Sequence, residues 1–318
     1  MSRTQWQRDL GRVFAMVFCM ISLLGCAQCA WGQSAAKRMD DKNARPVDEQ
    51  DEARRVNART NGWFVYENVG QSVSLLAYTG PATAQLMLPS QINGLPVQRI
   101  GSRAFYKGGF ETVSVPDSVH AIGAFAFGEC TNLICITLPD KVEKVEDFSF
   151  LNCVRLERVV LNDAVEDIGK MAFAGCERLV KINFPQRLNH ISDGAFIQTK
   201  LTHVEAPLSL TEVGVGAFAQ CDQLTNVVFS GSGITVHSNA FGECTRLTTV
   251  TFLGTVRKIG VLAFTGCPAL QWFRFKMPTF RIMDPTAFRD SPHVNFYQLS
   301  KEGDVKLERL TLFLKDDH

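Results

Sequence analysis

Cysteine is the residue type of this chain with the clearest potential for chemistry, and ten cysteines occur in its 318 residues. Six of them recur at one place of a repeating pattern: Cys130, Cys153, Cys176, Cys221, Cys244 and Cys267. Thiols spaced in this way could form disulfides, bind a metal ion, or pack as small apolar groups. Each of these three possibilities requires a particular spacing and direction of the cysteine side chains.

Two of the three chemistries are disfavoured. If successive repeats stack, the Cα atoms of neighbouring cysteines come to about 5 Å, which is inside the disulfide range, but their side chains point the same way. Thr199 replaces the cysteine of one repeat and leaves two groups of three, so pairing neighbours always leaves one thiol over. No C-x-x-C pair occurs among the six, and no histidine shares their place, which disfavours a metal site. We therefore predict a buried ladder of free thiols.

No other residues form a recognisable catalytic or cofactor-binding pattern. The histidines within the repeats lie at different places of the pattern, so stacking cannot gather them: His120, His190, His203 and His237. The sequence has no H-E-x-x-H, no glycine-rich phosphate loop and no G-x-S-x-G elbow. Carboxylate pairs such as Glu146 with Asp147 lie between apolar anchors, where turns are expected. We predict no catalytic residue, no cofactor and no metal.

The cysteines follow a repeat of about 23 residues, and stacked units of that repeat must position them. The clearest mark of the repeat is a phenylalanine, found at Phe105, Phe127, Phe150, Phe173, Phe196, Phe218, Phe241, Phe264 and Phe288. Successive gaps are 22 to 24 residues. Self-similarity at a fixed period of this size is typical of a solenoid, in which like units stack over one continuous core.

Each unit contains a short strand whose two faces can be assigned. In the unit Ala172–Pro185, Ile182 and Phe184 occupy the fourth and sixth places of the strand segment that starts at Leu179. Because neighbouring strand residues point to opposite faces, these places point inward and the third and fifth point outward. Leaving a phenylalanine exposed costs roughly 1.5–3 kcal/mol, so nine in one phase predict an internal phenylalanine ladder.

The unit resembles the BspA-like leucine-rich repeat of bacterial surface proteins, including treponemal ones. The stretches that carry the resemblance include IGAFAFGECTNL at 122–133 and ITLP at 136–139, and matching units cover about residues 62–295. Departures include Thr199 and Ser291, which replace the repeat cysteine. The resemblance implies an α/β fold, a right-handed leucine-rich-repeat solenoid with a parallel β-sheet on its concave face and short turns or helical turns on its convex side.

Residues 1–25 are expected to be a signal peptide, because arginines precede an apolar run that is too short for the roughly 20 residues of a membrane span. The run ends in Leu-Leu-Gly before Cys26, which resembles a bacterial lipobox with Cys26 as the lipidated residue. The alternative is cleavage after Ala30 or Gly32, which would leave a soluble exported chain.

The remaining boundaries follow from composition. Residues 26–61 carry mixed charges and few large apolar groups, so they are predicted to form a flexible tether. Residues 62–103 contain β-rich runs that predict a hairpin, with Trp63 in its bulk, and an irregular first repeat, which together cap the N-terminal end. Residues 104–296 are the regular repeats, and residues 297–318 are predicted to cap the C-terminal end.

The outward strand places supply the candidate binding residues of the concave face. These are Cys135, Arg158, Val160, Lys181, His203, Asn226, Val228, Thr249, Thr251, Trp272 and Arg274. Tryptophan and arginine are frequent interface anchors, so Trp272 with Arg274 is the preferred contact patch, although Trp272 could instead pack under the C-terminal cap. Arg158, Lys181 and His203 form a basic stripe that suits an acidic partner.

Composition and resemblance together favour a binding protein. The 33 Lys and Arg residues against 32 Asp and Glu give no charge that would attract nucleic acid. The resemblance implies an exported surface protein whose concave face binds a host matrix or cell-surface protein. The alternative is a lipid-tethered periplasmic scaffold, anchored to the membrane through Cys26, that binds envelope proteins or forms a homo-oligomer.

Overall fold

The computed structural model describes residues 58–276, 283–301 and 303–307. These residues form 23 β-strands joined by turns, with no α-helix among them. It follows that this described part of the chain contains no helix able to cross a membrane. The predicted signal peptide, Cys26, most of the tether and residues 308–318 of the predicted C-terminal cap lie outside the described residues.

The described chain begins with a six-stranded sheet in the order β1-β2-β3-β6-β5, with β8 paired to β6. Its strands are β1 (Arg59–Asn61), β2 (Phe64–Val69), β3 (Ser72–Tyr78), β5 (Gln91–Ile92), β6 (Leu95–Ile100) and β8 (Ala121–Ile122). β2 and β3 form an antiparallel hairpin. Its buried ring is Tyr66, whose hydroxyl accepts a hydrogen bond from Asn93 Nδ2 at 2.8 Å, whereas Trp63 is 57% exposed.

We call each repeat unit of the solenoid a coil. Each coil contributes one strand to one of two mainly parallel sheets, and we call the outward side of these two sheets the front face. The first sheet has the order β13-β11-β9-β7-β4, from β4 (Gln85–Met87), β7 (Thr112–Ser114), β9 (Cys135–Thr137), β11 (Arg158–Val160) and β13 (Lys181–Ile182). The second comprises β15 (His203–Ala206), β17 (Asn226–Phe229), β19 (Thr249–Phe252), β21 (Trp272–Phe275), β22 (Asn295–Gln298) and the antiparallel edge strand β23 (Val305–Leu307). The resemblance implies that the front face is concave.

A further strand in most coils builds another parallel sheet, which we call the lateral sheet. Its strands, in sheet order, are β10 (Lys144–Val145), β12 (Asp167–Ile168), β14 (His190–Ile191), β16 (Glu212–Val213), β18 (Ile234–Val236) and β20 (Val256–Ile259). The inward residues of these strands, such as Ile168 and Ile191, are buried in the core. The sequence shows an apolar pair in these segments, such as Val165 and Ile168, but no strand is predicted there.

The predicted α/β class is therefore wrong, because the described residues form an all-β solenoid. The turns at the Ala-Phe motif do not follow the i to i−4 hydrogen-bond pattern of a helix. The N–H of Ala126 donates to Gly123 O in its own turn at 3.1 Å, whereas the N–H of Phe127 donates to Ser149 O of the next coil at 2.8 Å. Phe125 also has a left-handed backbone with φ of 56°, which a right-handed helix excludes. Bonds between coils thus use the N–H groups that a helix would need.

The predicted phenylalanine ladder is confirmed. All nine rings are buried, and neighbouring rings stack within 11° of parallel with centroids 5.1–5.5 Å apart. The ladder passes without interruption from Phe105 to Phe288. It forms the centre of the core, on which the front and lateral strands are held.

The predicted ladder of free thiols is also confirmed, with an added role. Each of the six thiols is free and buried, and donates to the carbonyl oxygen of the ladder phenylalanine one coil earlier at 3.1–3.2 Å. Ser291 replaces the cysteine without losing this bond, since its hydroxyl donates to Phe264 O at 2.7 Å. Burial raises the pKa of the Cys221 thiol to about 11 and that of Cys267 to about 12, so both stay protonated as donors.

Candidate protein-binding face

Strand alternation places the predicted site residues on the front face. In β11, Arg158 and Val160 are exposed and Val159 between them is buried. The first front sheet carries Cys135, Arg158, Val160 and Lys181, and the second carries His203, Asn226, Val228, Thr249, Thr251, Trp272 and Arg274. The structure therefore distributes the candidate residues over two sheets instead of one.

The two front sheets separate between β13 and β15, since the two-residue strand β13 pairs with β11 alone. Directly after β13, the Asn183 side chain bonds to the backbone of Leu161 in the preceding coil. Asn183 Oδ1 accepts from the Leu161 N–H and Asn183 Nδ2 donates to Leu161 O, each at 2.8 Å. The lateral sheet continues through the same coils, with β14 paired to both β12 and β16. The interruption is thus confined to the front face.

Trp272 lies at the centre of an aromatic and charged cluster on the second front sheet. Its ring is stacked on Tyr297 of β22, with centroids 4.9 Å apart, and the Arg274 guanidinium lies 5.2 Å from its centroid. Arg274 Nε lies 3.2 Å from Asp304 Oδ2, in an ion pair that lacks the alignment of a hydrogen bond. Trp272 is 38% exposed and its ring contacts Tyr297, a residue of the predicted C-terminal cap, most of which lies outside the described residues. The cluster fixes a partly open indole on the face.

The sequence reasoning missed outward residues at both ends of the face. Met87 of β4 lies opposite Ser114 and is 75% exposed. At the other end, Tyr297 of β22 lies opposite Arg274 of β21. The signal for Met87 was present, because the inward Leu86 and Leu88 on either side of it repeat the strand phase.

A shallow groove of about 340 Å³ lies along β7 and β9 of the first front sheet. Its lining includes Thr112 and Ser114 of β7 and Cys135 and Thr137 of β9. The Cys135 thiol is free and half-buried there. The groove offers hydroxyl groups and a thiol to a partner.

In the outward row of the lateral sheet, by contrast, several ionisable side chains lie opposite or contact one another. Lys144 lies opposite Asp167, and Asp167 lies opposite His190, whose Nδ1 is 2.7 Å from Asp167 Oδ1. His190 in turn lies opposite Glu212, whose Oε1 is 2.7 Å from His237 Nε2. This pairing is typical of a solvated surface.

Three exposed large apolar side chains lie within the front strands: Met87, Val160 and Trp272. Val305 lies in the edge strand β23, while Val180, Leu208 and Leu253 lie beside strand ends. The described strands of the lateral sheet have none. Met87, Val160 and Trp272 lie on strands that are not neighbours, so each offers a separate apolar contact.

Comparison with known proteins places the repeats in a family. The description "BspA type leucine rich repeat region" applies to the family model that matches residues 98–225 and 211–304. A leucine rich repeat protein of T. pallidum is 28% identical, with 67% of this chain and 90% of that chain covered, at a TM-score of 0.49. A leucine rich cell surface protein of Faecalibacterium prausnitzii is 22% identical, with 74% and 87% covered, at 0.48. No curated protein matches. Since the matched segments span well over half of its residues, the chain belongs to the BspA type leucine-rich repeat family.

Proposed function

We propose that the front face binds another protein, and that the chain is a non-enzymatic, adhesin-like module for such binding. Repeats of this family are in general modules for protein interaction. Among the described residues, no group of three or more His, Cys, Asp or Glu side chains is arranged to hold a metal ion. The observation that carries the proposal is a contrast between the two surfaces: outward side chains of the lateral sheet pair with one another, whereas the front face leaves Met87, Val160 and Trp272 exposed.

The aromatic cluster is the anchor of this proposal. Tryptophan and arginine dominate interface energetics when a partner removes them from water. Trp272 is held by Tyr297 and Arg274, so little side-chain freedom is lost when a partner covers its open surface. Val160, 41% exposed, supplies a second apolar contact on the other front sheet.

The setting we propose is the cell surface, with Cys26 as a lipid anchor and the segment 26–61 as the tether, although Arg59–Asn61 of this segment form β1. The favoured partner is a host matrix or cell-surface protein. The basic, apolar and lipobox-like segments of residues 1–26 support export and anchoring. The periplasmic scaffold, with an envelope protein or a second copy as partner, uses the same face.

Selection of short random peptides, displayed on phage, against the immobilised full chain tests the front-face assignment. We expect recovered peptides to lose affinity for Trp272→Ala or Arg158→Glu. They should bind unchanged to Lys258→Glu, a charge reversal on the lateral sheet. Equal binding to both front-face variants and to wild type would contradict the proposal.

A separate measurement decides between the two settings. Mass spectrometry of the mature N-terminus shows whether Cys26 carries lipid. Protease added to intact cells should degrade the protein at the surface, whereas protection until the envelope is opened would favour the periplasmic scaffold.

A further inference from the structure

Arg158 and Lys181 are directly opposite each other on the neighbouring strands β11 and β13. Both side chains are exposed. Adjacent strands are about 4.8 Å apart, so the side chains leave the sheet side by side. Among the strand pairs of the described residues, this is the one place where two side chains of like charge face each other in register. Such an arrangement destabilises a sheet.

The surroundings leave this repulsion uncompensated. Neither cation has a carboxylate within ion-pair distance among the described residues. Glu157, next to Arg158, is 4.0 Å from Arg178. The amide of Asn183 is committed to Leu161, and the nearest acid in the outward rows, Glu205, lies on the other front sheet.

The neighbouring groups indicate which anion the pair fits. Val160 beside Arg158 is apolar, and Thr137 and Cys135 on β9 are small hydrogen-bonding groups. Nucleic acid or a sulfated polysaccharide needs an extended track of cations. Here the track is two residues long, with only His203 beyond the break and Glu205 after it. Two neighbouring carboxylates of a polypeptide match the two cations Arg158 and Lys181, and apolar atoms of the same polypeptide can contact Val160.

We propose that Arg158 and Lys181 form the subsite at which the front face receives an acidic segment of its protein partner. This inference rests on the proposed function. The two cations keep their charge exposed in the free chain, and the partner's carboxylates relieve their repulsion on binding. The acidic segment lies across β11 and β13, at the edge where the first front sheet ends.

The phage-selected peptides test the subsite through their composition and their response to charge reversal. We expect enrichment in neighbouring Asp and Glu, and about tenfold or greater loss of affinity for Arg158→Glu/Lys181→Glu. The control Lys258→Glu should change affinity by less than about twofold. The single variant Arg158→Glu places a carboxylate opposite Lys181, so its melting temperature should equal or exceed that of wild type while binding falls.

The outcomes separate the two proposals. Peptides without acidic enrichment that still depend on Trp272 would overturn the subsite and leave the proposed function standing. Peptides that bind all variants equally, or no recovered peptides, would count against both. A heparin-derived hexasaccharide or a short single-stranded DNA that binds through Arg158 and Lys181 more tightly than the peptides would overturn the choice of an acidic polypeptide.

Discussion

Asn183 pairs with Leu161 as a neighbouring strand would, with its side-chain amide in the place of a peptide group. Its Oδ1 accepts from the Leu161 N–H and its Nδ2 donates to Leu161 O, both at 2.8 Å. One side chain thus satisfies the backbone of a buried residue at the end of the first front sheet.

Replacing Asn183 by Ala should destabilise the fold by about 1–3 kcal/mol, because it leaves the N–H and C=O of buried Leu161 without partners. Urea denaturation gives the free energy of unfolding. Asn226→Ala, on the second front sheet, is the control and should cost less. Equal losses for the two variants would show that the Asn183 amide has no special role.

Gly169→Ala should destabilise the stack by about 1–3 kcal/mol through overpacking. An added Cβ would lie 2.6 Å from Asp147 N and 2.7 Å from Asp147 Oδ1, which accepts from the Lys170 N–H. Gly109→Ala is the matched control, since the nearest atom to its added Cβ is a side-chain methyl at 3.2 Å. Thermal unfolding checks both, and a Gly169→Ala protein as stable as wild type contradicts the packing shown.

Thiol labelling should separate the half-buried Cys135 from the buried ladder. We expect maleimide at neutral pH to modify Cys135 in the folded protein and the six ladder cysteines only after unfolding. Peptide mass spectrometry assigns each site. Rapid labelling of Cys176 with the fold intact would argue against the buried ladder.

The raised thiol pKa values also predict a loss of stability in alkali. Burial raises the pKa of Cys221 to about 11, above the value of about 8.5 of an exposed thiol. The folded state therefore favours the protonated thiol. This contribution is complete below the unfolded pKa and is lost as pH rises through the folded one. The melting temperature of wild type relative to Cys221→Ser should fall over this range, and a constant difference would contradict the prediction.

Trp272→Ala should weaken peptide binding by about thirtyfold, as expected when an anchor worth about 2 kcal/mol is truncated. Trp63→Ala is the matched control, because Trp63 is an exposed tryptophan outside the front face. Surface plasmon resonance measures both affinities. Equal effects of the two substitutions would remove Trp272 as an anchor.

The phase of the front strands and the two ladders could be predicted from sequence because they depend on repeated, buried residues. Phe173 and Cys176 recur in register with their counterparts, and burial enforces that register. The lateral sheet could not be predicted this way. A strand of two residues, such as Asp167–Ile168, is too short to show alternation, and its buried partner Val165 lies at a spacing that also fits a turn.

Other features depend on contacts between coils that no local pattern records. Phe125 adopts a left-handed backbone conformation, and the same place of the repeat is occupied by Gly194 and Gly216 in later coils. Because the coil of Phe125 has no glycine at this place, its sequence does not mark the turn. The contact of the Asn183 side chain with Leu161 in the preceding coil likewise has no local sequence signal. The outward rows could be predicted, but their separation into two sheets could not.

The thiol ladder sets a condition on how this polypeptide matures. Each sulfur must reach a carbonyl of the coil before it, so a cysteine captured in a disulfide during folding would keep two coils from closing. In an oxidising compartment, folding of the coils therefore competes with disulfide formation. If folding is faster, the newly made chain forms the complete solenoid. If oxidation is faster, the chain is trapped in a cross-linked, incompletely folded state.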